Sequence, residues 1–134
     1  MDKNWLYYGV FFSNTTRDFL IRKAKELIDI QENWTLYGDH MTIVFNDGSE
    51  RKQEVANALD NVLGYEQQLR IISIGISDET IAFEVNNYET QNEHSHITIA
   101  VAPGSKPVKS NNITEWLKID GFYVTGKIDK IVRR

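Results

Sequence analysis

One three-residue pattern occurs twice in this chain, as His40-Met41-Thr42 and His96-Ile97-Thr98, each inside an apolar run. The surrounding segments, 39–45 and 94–101, are rich in β-branched and apolar residues and bounded by Gly or Asn/Asp clusters, so both read as β-strands. Side chains alternate along a strand, which puts His40 and Thr42 on one face and Met41, Ile43 and Phe45 on the other. The second copy has the same phase, with His96 and Thr98 opposite Ile97, Ile99 and Val101. Each strand therefore offers an imidazole and a hydroxyl side by side over an apolar backing. On neighbouring central strands, the two copies would face each other across a gap for one phosphate. Two hydroxyls would then hold the non-bridging oxygens, with an acid and a base on opposite sides of phosphorus. Histidine serves either role, because its unperturbed pKa is about 6.5. That chemistry uses no metal or cofactor. The two copies are too alike to assign the roles; the reading taken is His96 as base and His40 as acid.

The elements that must position these residues follow from periodicity and turn chemistry. An aromatic strand at 5–12 is followed by a helix capped at Thr15, with Phe19, Leu20, Ala24, Leu27 and Ile28 on its apolar stripe. After the first His-x-Thr strand, Asn46-Asp47-Gly48 makes a turn, and Ser49 opens a second helix running to about Leu63, stopped by Gly64. Segments 69–77 and 80–86 alternate as a hairpin around Asp78-Glu79. The second His-x-Thr strand, a loop at 106–110, a short helix at 112–117 and a last strand at 121–132 complete an α+β chain. The motif pairing suggests two lobes related by a pseudo-two-fold, each giving one histidine, with two antiparallel sheets around a central groove and flanking helices.

Composition bounds the function without selecting it. The 134 residues (1–134) fit one domain, with 41% hydrophobic and 25% charged residues. Cysteine is absent, which excludes disulfides, Cys-based zinc sites and thiol nucleophiles. The start of the chain lacks a signal-peptide pattern and no run reaches membrane-spanning length, so the expectation is a cytoplasmic protein with no membrane partner. A net charge of −4 argues against sequence-independent binding along a nucleic-acid backbone, but suits a nucleotide or a single RNA end. The basic C-terminal residues Lys127, Lys130, Arg133 and Arg134 read as a solvated strand edge. Oligomeric state is left open, and a monomer is compatible.

Other residues are candidates for substrate contact. Tyr8, Trp116 and Tyr123 are aromatics that can stack a nucleobase. Tyr123 is favoured among them, sharing a face with Thr125 and Lys127. Lys109 and Ser110 can reach substrate from the loop after the His96 strand. His94 and His96, with Glu84 or Glu93, form a weaker metal-site alternative whose spacing fixes no ligand set.

With its two His-x-Thr motifs on strands, the chain resembles the 2H (two-histidine) phosphoesterase superfamily over essentially its whole length. A closer similarity is to the cyclic phosphodiesterase domain of fungal-type tRNA ligases, carried by Tyr8-Gly9-Val10, His96-Ile97-Thr98 and Lys106-Pro107-Val108-Lys109-Ser110-Asn111. The resemblance implies a bilobal α+β fold and metal-independent hydrolysis of a 2′,3′-cyclic phosphate on an RNA end or nucleotide. It makes His40 and His96 catalytic, and Thr42 and Thr98 phosphate-binding. It implies two alternatives: a phage- or viral-type enzyme that degrades cyclic or 2′-5′-linked immune signals, and a non-catalytic RNA-end or nucleotide-binding module. The chain departs from the family in its short loops, which tells against elaborate recognition of a long RNA.

Overall fold

In chain order the elements are strand β1 (Trp5–Phe11), helix α1 (Asn14–Leu27), strands β2 (Thr35–Leu36) and β3 (His40–Phe45), helix α2 (Glu50–Asp60), strands β4 (Glu66–Ile76), β5 (Thr80–Val85) and β6 (His96–Val101), a 3₁₀ helix (Pro107–Asn112) and strand β7 (Glu115–Val132). They are seen in a computed structural model that describes residues 3–133. Met1 and Asp2 at the start, and Arg134 of the basic stretch, lie outside the described residues.

The strands form one seven-stranded sheet in the order β2-β6-β5-β4-β7-β1-β3, with every pair antiparallel. The α+β, antiparallel expectation holds; the expectation of two separate sheets does not. The reason is the length of β4 and β7. Residues 66–71 of β4 pair with 122–127 of β7, and after an irregularity, 73–76 pair with 115–118. One long pair thus runs through both flanks and joins them.

The two His-x-Thr strands are not hydrogen-bonded neighbours, contrary to expectation. β3 is one edge of the sheet and β6 lies next to the other. They meet because the sheet curls, bringing Cα atoms of β3 and β6 within 8 Å. The segment leading into β3 closes the curl. β2 pairs with β6 (Thr35 with Val101, Leu36 with Ala100), the Tyr37 and Gly38 N–H groups donate to the Ile99 and Thr98 carbonyls, and the chain enters β3 two residues later. Gly38 has φ +77°, a conformation that only glycine adopts at little cost. At Gly9 a Cβ would lie 2.6 Å from the Met41 carbonyl oxygen, so β1 can approach β3 this closely only without a side chain.

Both helices cover the face opposite the histidines. α2 buries Ala56 and Leu59, and its Gln53 and Asp60 accept hydrogen bonds from the Trp5 indole and the Tyr8 hydroxyl. α1 buries Leu20, Ile21 and Ala24, and its Phe19 meets Phe122 edge-on at 5.7 Å. Met41, Ile97 and Ile99 are fully buried in this layer, where truncation to Ala costs about 2–5 kcal/mol.

Local boundaries differ from the sequence reading for identifiable reasons. The cap of α1 is Ser13 rather than Thr15, since the Ser13 hydroxyl accepts the Thr16 N–H. Ser49 caps α2 as expected, but the helix ends at Asp60 and a turn carries the chain to Gly64 (φ +84°). The short helix expected at 112–117 is displaced. Pro107 suits a first helical position, so the 3₁₀ turn forms there, and 115–118 extend β7 to pair with β4. Of the basic residues, Lys127 lies on β7 between β4 and β1 rather than at an edge; Lys130 pairs with β1 alone, past the end of the β4 pairing, and Arg133 follows the end of β7.

Candidate active site

Tyr7, Gly9 and Phe11 of β1 face the same side as His40 of β3, because cross-strand partners share a face and Phe11 lies opposite His40. The His40 ring accordingly stacks on Phe11 (centroids 5.3 Å, 20°) and tilts against Tyr7 (5.2 Å). Its Nε2 lies 3.1 Å from the Thr42 hydroxyl. Its Nδ1 is buried and 3.3 Å from an Asp39 carboxylate oxygen, an ion-pair distance without hydrogen-bond alignment. The Asp39 carboxyl is held below its ordinary range, first by its contact with the His40 ring.

His96 sits in a different environment. Its Nδ1 is 2.8 Å from the His94 carbonyl oxygen. A carbonyl only accepts, so Nδ1 carries the hydrogen and Nε2 is left with its lone pair in the neutral ring. Burial pushes the His96 pKa below the ordinary value; the bond to the His94 carbonyl opposes this, and repulsion from His94 and His40 adds to the lowering. Thr98 shares a 2.9 Å hydrogen bond with the Ser110 hydroxyl, which is 1% exposed.

His40, Thr42, His96 and Thr98 line one cavity of about 330 Å³. Its remaining wall includes Tyr7, Tyr37, Asp39, Phe45, Asn92 and Asn111. Burial and, secondarily, the Asp39 charge raise the Tyr7 pKa, so its phenol stays protonated and able to donate. The arrangement offers two imidazoles with different neighbours at Nδ1, two hydroxyls, and an aromatic wall.

The other candidates are placed differently. Tyr8 belongs to the core at 1% exposure, because alternation turns Tyr7, not Tyr8, toward the cavity. Tyr123 is 56% exposed; it shares the face of Lys127 and Phe11 but lies outside the cavity lining. Lys109 is exposed and also outside it, whereas Pro107, Val108 and Asn111 of the same turn line the cavity. Ser110 stands behind Thr98 rather than at the surface. Trp116 stacks on His94 at 5.1 Å beside a smaller cavity of about 210 Å³. Among the described residues, no group of three or more His, Cys, Asp or Glu is arranged to hold a metal ion. Tyr7, Phe11 and Asp39 escaped the sequence reading, although the phase of β1 and the Asp directly before His40 were visible signals.

No protein-family model matches the chain, and no curated protein is significantly similar to it. Among the described residues no helix is long and apolar enough to cross a membrane.

Proposed function

We propose that the protein is a metal-independent phosphodiesterase of the two-histidine type, hydrolysing a 2′,3′-cyclic phosphate on a nucleotide or RNA end. The observation that carries this reading is the convergence of both His-Thr pairs on one cavity, with a carboxylate beside Nδ1 of one ring and a backbone carbonyl at Nδ1 of the other. Neutral His96 takes a proton from water through Nε2 as the water oxygen bonds to phosphorus. Protonated His40 delivers its Nε2 proton to the departing ribose oxygen, so that one P–O bond forms and one breaks. Thr42 and Thr98 donate to the phosphoryl oxygens; a hydrogen bond donated by Ser110 to Thr98 leaves the Thr98 hydrogen free for that role.

The pairing order supports the two-lobed form of the fold. Outward from the β4–β7 pair, β5 and β6 lie on one side and β1 and β3 on the other, each side ending in a His-x-Thr strand before the added β2. A cavity near the lower end of the small-molecule range suits one nucleotide better than a long RNA. The same observation, with the net charge of −4, favours a second reading within the class: destruction of a soluble cyclic or 2′-5′-linked signal in the cytoplasm, by a monomer.

The test is a cleavage panel with excess EDTA: 2′,3′-cyclic AMP, an RNA ending in a cyclic phosphate, 2′-5′-oligoadenylate and cyclic dinucleotides. Hydrolysis of the first two that survives chelation is expected, and preference for the latter two selects the second reading. Binding without cleavage would leave a nucleotide-binding module. Activity lost to EDTA and restored by zinc or manganese would overturn metal independence.

A further inference from the structure

Beside the cavity, two polar side chains that the proposed chemistry does not use, those of Ser73 and Glu84, lie in a row with His96. Ser73, Glu84 and His96 are successive cross-strand partners on β4, β5 and β6, so their side chains share the histidine face. Ser73, 2% exposed, donates its hydroxyl hydrogen to one Glu84 carboxylate oxygen at 2.7 Å. The other Glu84 oxygen meets His94 Nδ1 at 2.8 Å. The His94 ring is stacked on Trp116 with an interplanar angle of 27°. Its own backbone carbonyl is the acceptor for His96 Nδ1.

That carbonyl belongs to the irregular segment between β5 and β6, where no strand ladder holds it in place. On its C-terminal side the chain is pinned at Ser95, whose hydroxyl donates to the Tyr88 carbonyl and whose own carbonyl accepts the Val85 N–H. On its N-terminal side the chain is next held at Gln91 and Asn92, whose N–H groups donate to the Ile43 carbonyl and the Thr90 hydroxyl, and at residue 94 itself the anchor is the His94 ring, clamped between Glu84 and Trp116. The Glu84 side chain is 19% exposed, so this contact is partly withdrawn from water and is stronger than a surface pair. We propose that Ser73, Glu84 and His94 form a positioning relay that holds the His94 carbonyl against His96 Nδ1, and so keeps His96 in the tautomer whose Nε2 is the base. None of the three touches substrate. They act through His96, and their relevance to turnover rests on the two-histidine reading.

The test reads the His96 ring directly. Long-range ¹H–¹⁵N spectra of the full chain, recorded without substrate and with His96 neutral, report the ratio of its two tautomers. In the unsubstituted protein the Nδ1–H form should dominate. Glu84→Ala and His94→Phe (the latter keeping a ring on Trp116) should each lower that ratio about fivefold, the worth of one ordinary hydrogen bond. Glu84→Gln retains an acceptor for His94 and should restore most of it. In hydrolysis assays, Glu84→Ala and His94→Phe should lower kcat with KM unchanged. An unchanged tautomer ratio in both variants, each folded by circular dichroism, would overturn the relay. Absence of hydrolysis by the unsubstituted protein would sink the two-histidine reading while leaving the tautomer result to stand.

Discussion

The two His-x-Thr strands carry nearly the same residues and are set in opposite surroundings. On β3 the His40 ring lies among aromatic rings, with a carboxylate at Nδ1 and its own threonine at Nε2. On β6 the His96 ring is tied at Nδ1 to a backbone carbonyl, and its threonine is backed by a buried serine from the turn before β7. Burial disfavours the proton on His96, while His40 has a carboxylate at its Nδ1. A repeated motif is thus made unequal by neighbours that the motif does not contain, as the proposed acid and base roles require. An acid–base pair needs that inequality, because two identical histidines would compete for the same protonation state.

The largest effects should come from the rings themselves. His40→Ala and His96→Ala are each expected to lower kcat on a 2′,3′-cyclic nucleotide by roughly 10²–10⁴-fold. A diester with a nitrophenolate leaving group needs no proton on departure. It should rescue His40→Ala and not His96→Ala, and equal behaviour of the two variants would erase the assignment of roles. Next in size are the hydroxyls: Thr42→Ala and Thr98→Ala should each cost about 10²-fold in kcat, with a smaller change in KM. Ser110→Ala, which removes only the support of Thr98, should cost less than either.

The pH profile separates the strands further. His96 must be neutral to act, and its pKa lies below the ordinary value of about 6.5, so the acid limb of kcat/KM should fall below that pH. Asp39→Asn removes the carboxylate beside His40 and should lower kcat while leaving the acid limb, set by His96, in place. Stability should follow the same sign. With its folded pKa depressed, His96 binds its proton more weakly folded than unfolded, so its contribution is present above about pH 6.5 and is lost as pH falls through the folded value. His96→Gln should flatten this part of the curve of denaturant midpoint against pH. The smallest contrast is between adjacent tyrosines. Tyr8→Phe breaks the bond to Asp60 and should cost about 1.5–3 kcal/mol of stability with turnover unchanged, whereas Tyr7→Leu should alter turnover.

Much of this was legible from local pattern. The phase of 40–43 and 96–101 predicted which residues turn inward, and Met41, Ile43, Ile97 and Ile99 are buried as that phase requires. Past Ile43 an irregularity in the pairing with β1 reverses the phase, so Val44 is buried and Phe45, expected on the core face, turns to the cavity. Ser49 and the hairpin around Asp78-Glu79 follow rules spanning a few residues, and such rules transfer directly. What escaped depends on long-range pairing. Nothing near Thr35 announces that two residues will pair with β6, nor does Trp116 announce that it will extend β7 rather than end a helix. The sequence reading names Tyr8 and not Tyr7; alternation puts the two on opposite faces, and the register of β1 with β3 decides which face meets the cavity. The resulting error of one residue exchanged a core side chain for a wall of the cavity.

The long β4–β7 pair also has a consequence for how the molecule opens. β7 has 18 residues and, at about 3.3 Å per residue, a contour near 60 Å that crosses from the His96 flank to the His40 flank without a break. No flexible linker separates the flanks, so neither can release its histidine by local unfolding without stripping hydrogen bonds from a strand the other needs. Native-state exchange should therefore find the hydrogen-bonded amides of 115–118 and of 122–128, on either side of the irregularity in β7, protected by the same opening free energy, as members of one cooperative unit. Breathing of the cavity would then arise in the segments laid across the sheet, the Tyr37–Asp39 stitch and the loop before β6, while the frame that spaces the two rings opens only with the whole fold.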